Sequence, residues 1–516
     1  MKSSKQNIFG KIYKWHKYIG LITVIPVIFW TLSGFMHPFL SHWFKPIIPK
    51  EFIAPVLVKK EHLQLPLHKA LEANHIHAFK SVRIIQFKDS SFYQVKKTNA
   101  SLIYLNTYSG KILENGDKKY AEWMARYFLG DSISPVHSIE EVDRFTQQYK
   151  FINRLLPVWK ITFHRPDAMD VYVETASTRL GTFNPTYRKV FLWIFDNFHN
   201  WNFLQTISNN SLRIIIMITL LSIIIISSLS GIIIYGFLWN KFQKPDVNDK
   251  PGLLRKYHRQ VGIAVAFVSF TFAFSGAYHA TQKWEPDLLP ELVYEPIIKT
   301  SEVSHSFLNF PIEWDRLVNI SIVKPENGLF YQTFYLPKMK DNTEMSCHAP
   351  SLPKEEKKEA SWNAKPAPEV IYFNLKDTSI WQNGDIKYAQ FVASFLTDKF
   401  KLFKDKNPTK APIFETGKLH KFESREYGFA FKRLPVVKLA YETPEKTSYF
   451  IETATSRIAA KIENADRLEG YSFAIFHKYL LMDWAGKNVR DITMMFSAMG
   501  LLAISLLGLA LFIKKP

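Results

Sequence analysis

Four apolar runs divide the chain, and each is long enough to cross a bilayer. They cover roughly 18–40, 212–239, 261–281 and 492–513. A membrane helix needs about 20 mostly apolar residues, so the pattern predicts four transmembrane helices. The first run could instead be a signal peptide, but its apolar stretch is long and no A-x-A cleavage site follows it. We therefore interpret it as an uncleaved anchor.

Two large polar segments, roughly 41–211 and 282–491, separate these runs. Alternating β-branched and aromatic residues over 91–104 predict a β-hairpin. Helical patterns over 67–74 and 118–129 flank that hairpin. We therefore expect each polar segment to fold as an α+β domain.

The apolar and polar stretches together predict the order of domains along the chain. That order is an N-terminal segment with the first span (1–40), an outer domain with a pre-span interfacial helix (41–211), the second span (212–239), a basic loop (240–260), the third span (261–281), a second outer domain (282–491) and the fourth span with a tail (492–516).

Basic residues cluster at one end of every predicted span. They are Lys2, Lys5, Lys11, Lys14 and Lys17 before the first span, Lys241, Lys244, Lys250, Arg255, Lys256 and Arg259 between the second and third, and Lys514 and Lys515 after the fourth. The positive-inside rule places all three groups in the cytoplasm. We therefore expect a multi-pass protein of the bacterial inner membrane, with both termini cytoplasmic and both large domains periplasmic.

Composition narrows the class of protein. The net charge of +20 could suggest nucleic acid, but the lysines are scattered between apolar spans and form no nucleic-acid motif. Contact with acidic membrane lipid explains the charge more simply. The single cysteine, Cys347, excludes a disulfide framework, a CxxC metal site and covalent c-type haem attachment. The chain also lacks a Ser-His-Asp order, HExxH, GxGxxG and a P-loop.

The most informative feature is a histidine pattern that occurs twice within apolar runs. WHKYIG and SGFMH in the first run recur as YHRQVG and SGAYH in the third, 242 positions later. A Phe-His dipeptide before the second span also recurs before the fourth, at an offset of 278. The resulting pairs are His16 with His258, His37 with His279, and His199 with His477. Histidine is uncommon within membrane spans and usually marks a function there.

The repetition extends through the polar segments. NGDKKYAEW at 115–123 returns as NGDIKYAQF at 383–391, and VYVETASTRLG at 171–181 returns as YFIETATSRIA at 449–459. The sequence therefore predicts two duplicated halves that pack as a pseudo-two-fold pair. A low-complexity stretch at 344–368 occurs only in the second half and predicts a mobile insertion.

Helical geometry places the first set of repeated residues on one face. At about 100° per residue, His16, Gly20, Gly34 and His37 fall within a stripe roughly 100° wide. Glycines on that stripe leave room for a flat, bulky group or for a close helix neighbour. At about 1.5 Å per residue, His16 and His37 lie roughly 32 Å apart, so they cannot share one metal. They could serve two sites stacked across the bilayer.

Imidazole is the standard axial ligand of b-type haem, and an apolar helix bundle supplies a dry pocket. We therefore interpret the repeated histidines as axial ligands of two or more haems b. The inner pair is His16 and His258, and the outer set, for one or two haems, is His37, His199, His279 and His477. Two alternatives remain open: interfacial histidines that bind headgroups or cap helices, and a non-haem metal or proton-relay role.

Other conspicuous residues have simpler interpretations. The remaining ten histidines, His42 among them, have no equivalent at the repeat offsets and are expected mostly at the surface. The aromatic residues around His199, which are Trp193, Phe195, Phe198 and Trp201, predict an interface belt rather than a substrate platform. Glu174 and Glu452, with Arg179 and Arg457, predict structural ion pairs rather than a substrate site.

The chain resembles the PepSY-associated transmembrane family, which includes iron-regulated bacterial inner-membrane proteins and haem-containing ferric-siderophore reductases. The resemblance rests on the HxxxG start and SG…H end of the first span, on FYQV…IYLNTYSGKIL, and on the FH before the second span, and it covers most of both halves. It implies that each outer domain is PepSY-like and that the two together form a docking surface. It also implies that Fe(III) in a siderophore, or another ferric chelate, is reduced at the outer haem and released as Fe(II).

The electron donor and one rival function stay open. The chain lacks the flavodoxin or flavin-reductase extension of some members of that family, so the donor could be a quinol or a cytoplasmic flavoprotein. The rival is a non-enzymatic PepSY membrane module, in which the outer domains bind peptides or a partner protein and the helices serve only as anchors.

Overall fold

The structure is a computed structural model that describes residues 2–207, 209–239, 244–246, 248–282, 291–303, 305–338, 368–400, 407–422 and 426–513. It divides into two compact units. The membrane unit comprises Met1–Ile47, Pro185–Asp287 and Ala465–Pro516, and the sheet unit comprises Ile48–Asn184 and Leu288–Asn464. The predicted insertion at 344–368 lies outside the described residues apart from its last position.

The α-helices of the described ranges are numbered in chain order. They are α1 (Lys2–Pro38), α2 (Leu67–Ala73), α3 (Gly116–Leu129), α4 (Thr186–Phe198), α5 (Phe203–Ile207), α6 (Asn210–Leu238), α7 (Lys250–Thr281), α8 (Gly384–Lys399), α9 (Asn464–Ser472) and α10 (Lys487–Ile513). The strands are β1 (Ala78–Phe87), β2 (Ser90–Lys97), β3 (Leu102–Asn106), β4 (Val136–Val142), β5 (Val158–Phe163), β6 (Asp170–Glu174), β7 (Arg179–Asn184), β8 (Ile298–Lys299), β9 (Leu317–Val323), β10 (Phe330–Tyr335), β11 (Glu369–Asn374), β12 (Ile413–Leu419), β13 (Val436–Tyr441), β14 (Ser448–Glu452) and β15 (Arg457–Ile462).

Four helices of the membrane unit, α1, α6, α7 and α10, are long and apolar enough to cross a membrane. Their candidate spans are Lys11–Trp43, Asn210–Gly236, Lys250–Thr281 and Lys487–Ile513. This confirms the four predicted apolar helices. Three of the spans begin clearly before the apolar runs, because the polar residues ahead of each run continue the same helix. In α7, for example, the Asp249 side chain caps the first turn by accepting from the backbone N–H of Gly252.

The four long helices form a bundle in which α1 and α7 occupy opposite corners. Each of these two helices packs along both α6 and α10. Small residues allow close approach: a Cβ at Gly500 on α10 would lie 2.6 Å from the side chain of Val265 on α7. Leu221, Ile224 and Ala273 form a buried apolar cluster between α6 and α7. Side chains of α1 and α7 that point inward therefore face each other across the bundle.

The sheet unit contains three antiparallel sheets. The largest has the order β11-β10-β9-β1-β2-β3, with β8 also pairing with β1, and the two four-stranded sheets have the orders β4-β5-β6-β7 and β12-β13-β14-β15. The predicted hairpin is confirmed as β2 and β3, in which Val95 lies opposite Ile103. Strand β1 pairs with β9 through Arg83 and Ser321. Strands from both polar segments therefore share one continuous sheet.

The two NGD sequences begin equivalent helices that cover these sheets. Helix α3 packs on β3, β5 and β6, and α8 packs on β11 and β13–β15. Asn115 and Asn383 precede the helices with φ values of 52° and 55°. A Cβ at Gly116 would lie 2.8 Å from the ring of Tyr104, and a Cβ at Gly384 would lie 2.8 Å from the ring of Tyr372. The motif thus lets each helix start against a buried tyrosine.

A buried ion cluster ties the two ETA segments of the sheet unit together. The Arg433 side chain is 3% exposed, and its guanidinium lies 2.8 Å from a carboxylate oxygen of Glu174 and 2.9 Å from one of Glu452. Arg179 pairs with Glu452 as well. The expected ion pairing is therefore present, but it crosses between the two segments, and its central cation is an arginine that sequence analysis did not single out.

Acid should destabilise the sheet unit through this cluster. Burial alone would raise the pKa of Glu452, but Arg179 and Arg433 hold it at about 2, against an ordinary value of 4.5. A carboxyl whose pKa is lowered by folding stabilises the folded state above its unfolded pKa, and that contribution is lost as the pH falls through the folded pKa. We expect the free energy of unfolding, measured by denaturant titration, to fall between about pH 4.5 and pH 2.

The variant Glu452→Gln provides the control for this acid titration. It should lose about 3–5 kcal/mol at neutral pH, because a buried arginine loses its partner. It should also show a smaller further loss in acid than the wild type does. An identical acid dependence in the two proteins would contradict the assignment.

Candidate functional site

The structure brings His16 and His258 together inside the membrane unit. Their ring centroids lie 6.5 Å apart, with 69° between the ring planes. His16 lies on α1 and His258 on α7, the helices at opposite corners of the bundle. The two residues predicted as an inner pair are therefore neighbours in space.

Glycines of the other two helices adjoin this pair. A Cβ at Gly231 on α6 would lie 3.4 Å from Cε1 of His16, and one at Gly508 on α10 would lie 3.4 Å from Cε1 of His258. At Gly20, one turn after His16, a Cβ would have no atom of the described ranges within 4 Å. The absence of side chains at these positions leaves space beside the rings for a flat group.

A second pair, His199 and His477, lies at another level of the bundle. Their ring centroids are 6.3 Å apart, with 82° between the planes. His199 caps the C-terminus of α4, and His477 ends the π-helical turn Phe473–His477 that continues α9. The outer pair is therefore supplied by two short helices that precede the second and fourth spans, as the sequence predicted for these two residues.

Serine hydroxyls fix the orientation of both outer rings. Oγ of Ser33 lies 3.1 Å from Nδ1 of His199, and Oγ of Ser275 lies 3.3 Å from Nδ1 of His477. The two hydroxyls donate to helix carbonyls one turn earlier, at 2.6 and 2.7 Å. Each hydroxyl therefore accepts the ring Nδ1–H, which leaves Nε2 unprotonated as metal binding requires. Burial, and then the nearby Lys478 ammonium, hold the pKa of His477 well below its ordinary value.

The inner rings are held in a similar but asymmetric way. Nδ1 of His16 lies 2.8 Å from Oγ of Ser230, which itself donates to a helix carbonyl at 2.8 Å. Nδ1 of His258 is buried and makes no hydrogen bond to the described residues, although the Ile504 carbonyl lies beside it. The position equivalent to Ser230 in the fourth span, 277 residues later, is Leu507, which has no hydroxyl.

Both spacings match two imidazoles on opposite sides of one metal ion. A metal–nitrogen bond of about 2 Å, with the nitrogen about 1.1 Å from the ring centre, puts two such centroids roughly 6 Å apart. The observed distances are 6.5 and 6.3 Å. Spacing, ring orientation and open space therefore fit two bis-imidazole haem sites. Across the described ranges, no group of three or more His, Cys, Asp or Glu side chains could hold a metal ion.

The two pairs lie at different depths of the bundle. Ser33, which contacts His199, follows His16 by 17 residues on α1, and Ser275 follows His258 by 17 residues on α7. At about 1.5 Å per residue, the outer pair lies roughly 26 Å from the inner pair along these helices. This separation is close to the thickness of the hydrocarbon core of a bilayer.

The structure does not bring His37 and His279 together. Nε2 of His37 lies 3.4 Å from Nζ of Lys478. Nδ1 of His279 lies 2.5 Å from Oε1 of Glu469. Burial lowers the pKa of Lys478 to about 8. The third repeated pair therefore contacts charged side chains and forms no imidazole pair of its own.

Two phenylalanines link these flanking histidines to the outer pair. Phe195 stacks on His199 with ring centroids 4.4 Å apart and contacts His37 at 5.5 Å. Phe473 occupies the same place in the other half, 4.6 Å from each of its two histidines. Phe195, predicted as part of an interface belt, thus packs between histidines. Its signal in the sequence is the pattern FxxFH, which ends at both His199 and His477.

Sequence analysis also missed a histidine outside the repeats. Nδ1 of His42 lies 2.8 Å from a carboxylate oxygen of Asp491. Their side chains are 11% and 5% exposed, so this histidine is not the surface residue that was expected. It is absent from the repeat pattern because the partner comes from α10 and not from an equivalent of itself.

Comparison with known proteins adds no assignment. The chain matches no protein-family model. It also matches no curated protein.

Proposed function

We propose that this protein is a b-type haem reductase that carries electrons across the bacterial inner membrane. It reduces Fe(III) in siderophores or other ferric chelates on the outer side, for iron release and uptake. The observation that carries the proposal is the presence of two histidine pairs, at centroid distances of 6.5 and 6.3 Å, at two depths of one apolar bundle. In this proposal the chain is a member of the PepSY-associated transmembrane family.

The proposal assigns four of the six repeated histidines as axial ligands. His16 and His258 hold the inner haem, and His199 and His477 hold the outer one. His37 and His279 border the outer site instead, since each contacts a charged side chain. Haem, when bound, supplies a one-electron carrier whose potential depends on its axial ligands and their surroundings.

The residues around the ligands have defined tasks. Ser33, Ser230 and Ser275 accept Nδ1–H, which fixes the ring tautomer and raises the basicity of Nε2. Phe195 and Phe473 cover the outer rings and exclude water, which lowers the local dielectric constant and affects the potential. Glycines keep side chains out of the space that the flat group would occupy.

Orientation in the membrane follows from the basic flanks. With both termini cytoplasmic, the inner pair lies near the cytoplasm and the outer pair near the periplasm. Electrons then enter from a quinol or a cytoplasmic flavoprotein and leave to a ferric chelate outside. One-electron sites at two depths are the arrangement that electron transfer across a bilayer needs.

We further propose that the two halves arose by duplication and are related by a pseudo-two-fold axis. Equivalent positions make equivalent contacts in each unit. In the membrane unit, Ser33 and Ser275 contact the outer histidines, and Gly231 and Gly508 adjoin the inner ones. In the sheet unit, the NGD sequences start helices against buried tyrosines.

Single histidine variants test the pairing. Either His16→Ala or His258→Ala should remove the same haem, and either His199→Ala or His477→Ala should remove the other, because each iron needs both of its ligands. His37→Ala and His279→Ala should retain both haems. Haem content and reduced-minus-oxidised absorbance spectra of the purified variants measure this, with His62→Ala as a control outside the bundle.

The same variants test the direction of electron flow. In membrane vesicles, the outer variants should lose reduction of an external ferric chelate, while the inner haem stays reducible from the cytoplasmic side. Removal of different haems by His16→Ala and His258→Ala would contradict the inner pair. A colourless wild-type protein would favour the non-enzymatic PepSY module that binds peptides or a partner protein.

Glycine substitutions test the space beside the inner rings. Gly508→Val should displace the ring of His258 and lower inner-haem content several-fold, because even a Cβ there lies at contact distance. The control is Gly236→Val, since a Cβ at Gly236 meets no described atom within 4 Å. Equal haem content in the two variants would show that Gly508 does not border the site.

A further inference from the structure

The buried ion cluster of the sheet unit carries one more cation than it has anions. Its acids are Glu174 and Glu452, and both contact Arg433. Arg179 is a second cation and pairs with Glu452. Arg457, only 8% exposed, is the third. An uncompensated buried charge is strongly destabilising unless another group neutralises it.

Arg179 and Arg457 occupy equivalent places in the two ETA segments but are used differently. Arg179 donates to the Leu434 carbonyl at 2.8 Å in addition to its ion pair. Nε and Nη1 of Arg457 are buried and make no hydrogen bond to the described residues. Burial lowers the pKa of Arg457 to about 10, so the guanidinium still carries its charge at neutral pH.

Arg457 lines a pocket of about 340 Å³ in the same unit, at the lower end of the range for small-molecule sites. Lys80, Lys96 and Lys399 also line it, together with two acids, Glu291 and Glu295. Lys80 and Lys96 both pair with the single carboxylate of Glu295. The lining therefore carries four cations against two anions.

We propose that this pocket binds a small oxyanion with about two negative charges, a carboxylate or a phosphate. Arg457 provides the central contact, because a guanidinium presents paired N–H donors in the geometry of two oxyanion oxygens. Lys399 supplies a second charge at the wall, and the pair formed by Lys80 and Lys96 supplies an excess charge beside it. The proposal is independent of the haem assignment, since all of these residues belong to the sheet unit.

Isothermal titration calorimetry on the purified full-length protein tests the site. Phosphate and citrate are titrated separately, at an ionic strength held constant with chloride, so that the two sources of oxyanion are distinguished. We expect saturable binding of at least one of them at one site per chain. Arg457→Gln should weaken that binding at least tenfold and Lys399→Gln severalfold, whereas Lys376→Gln, exposed and outside the pocket, should bind as the wild type does.

Thermal unfolding separates a binding role from a structural one. Arg457→Gln removes the unneutralised charge, so its unfolding midpoint without added anion should not fall below that of the wild type, and the anion should no longer raise it. Arg433→Gln should lower the midpoint, because it breaks the paired cluster. Absence of saturable binding by both anions, or equal weakening by Arg457→Gln and Lys376→Gln, would overturn the proposal.

Discussion

The candidate site depends on the hydrogen bond from an imidazole Nδ1–H to a serine hydroxyl. Ser33, Ser230 and Ser275 each spend their own hydrogen on a helix carbonyl, so each can only accept from its histidine. That constraint selects the tautomer with a free Nε2 and holds the ring in place. A polar ring in an apolar bundle would otherwise be costly. The same contact therefore satisfies the buried histidine and prepares it to bind a metal.

The bundle turns these local contacts into two sites. Because α1 and α7 lie at opposite corners, the matched motifs at the start of the first and third spans meet across the interior. The equally matched serines near the other ends of these helices contact histidines from the short helices before the second and fourth spans. One repeated motif thereby supports two levels. Its asymmetries, such as Ser230 against Leu507, make the two halves unequal in detail.

Part of this arrangement could be predicted from the sequence, because it depends on local pattern. Apolar length indicated the four long helices, strand alternation indicated the β2–β3 hairpin, and fixed offsets identified the repeated histidines. The contacts of Gly231, Phe195 and Arg433 could not be predicted in the same way, since each depends on which distant segment packs beside it. The pairing of β1 with β9 joins strands more than two hundred residues apart, and no local signal specifies it. The offsets did hold a further clue in the FxxFH pattern, which became meaningful only once ring stacking was known.

The central claim is that four imidazoles bind two irons in pairs, and the electron paramagnetic resonance spectrum of the oxidised purified protein tests it most directly. Iron with two imidazole ligands is low-spin in its ferric state, and rings crossed at 69° and 82° should give strongly anisotropic signals. The account predicts two such low-spin centres per chain and no high-spin haem. A protein without haem, or one whose haem is high-spin because an axial position is open, would contradict it.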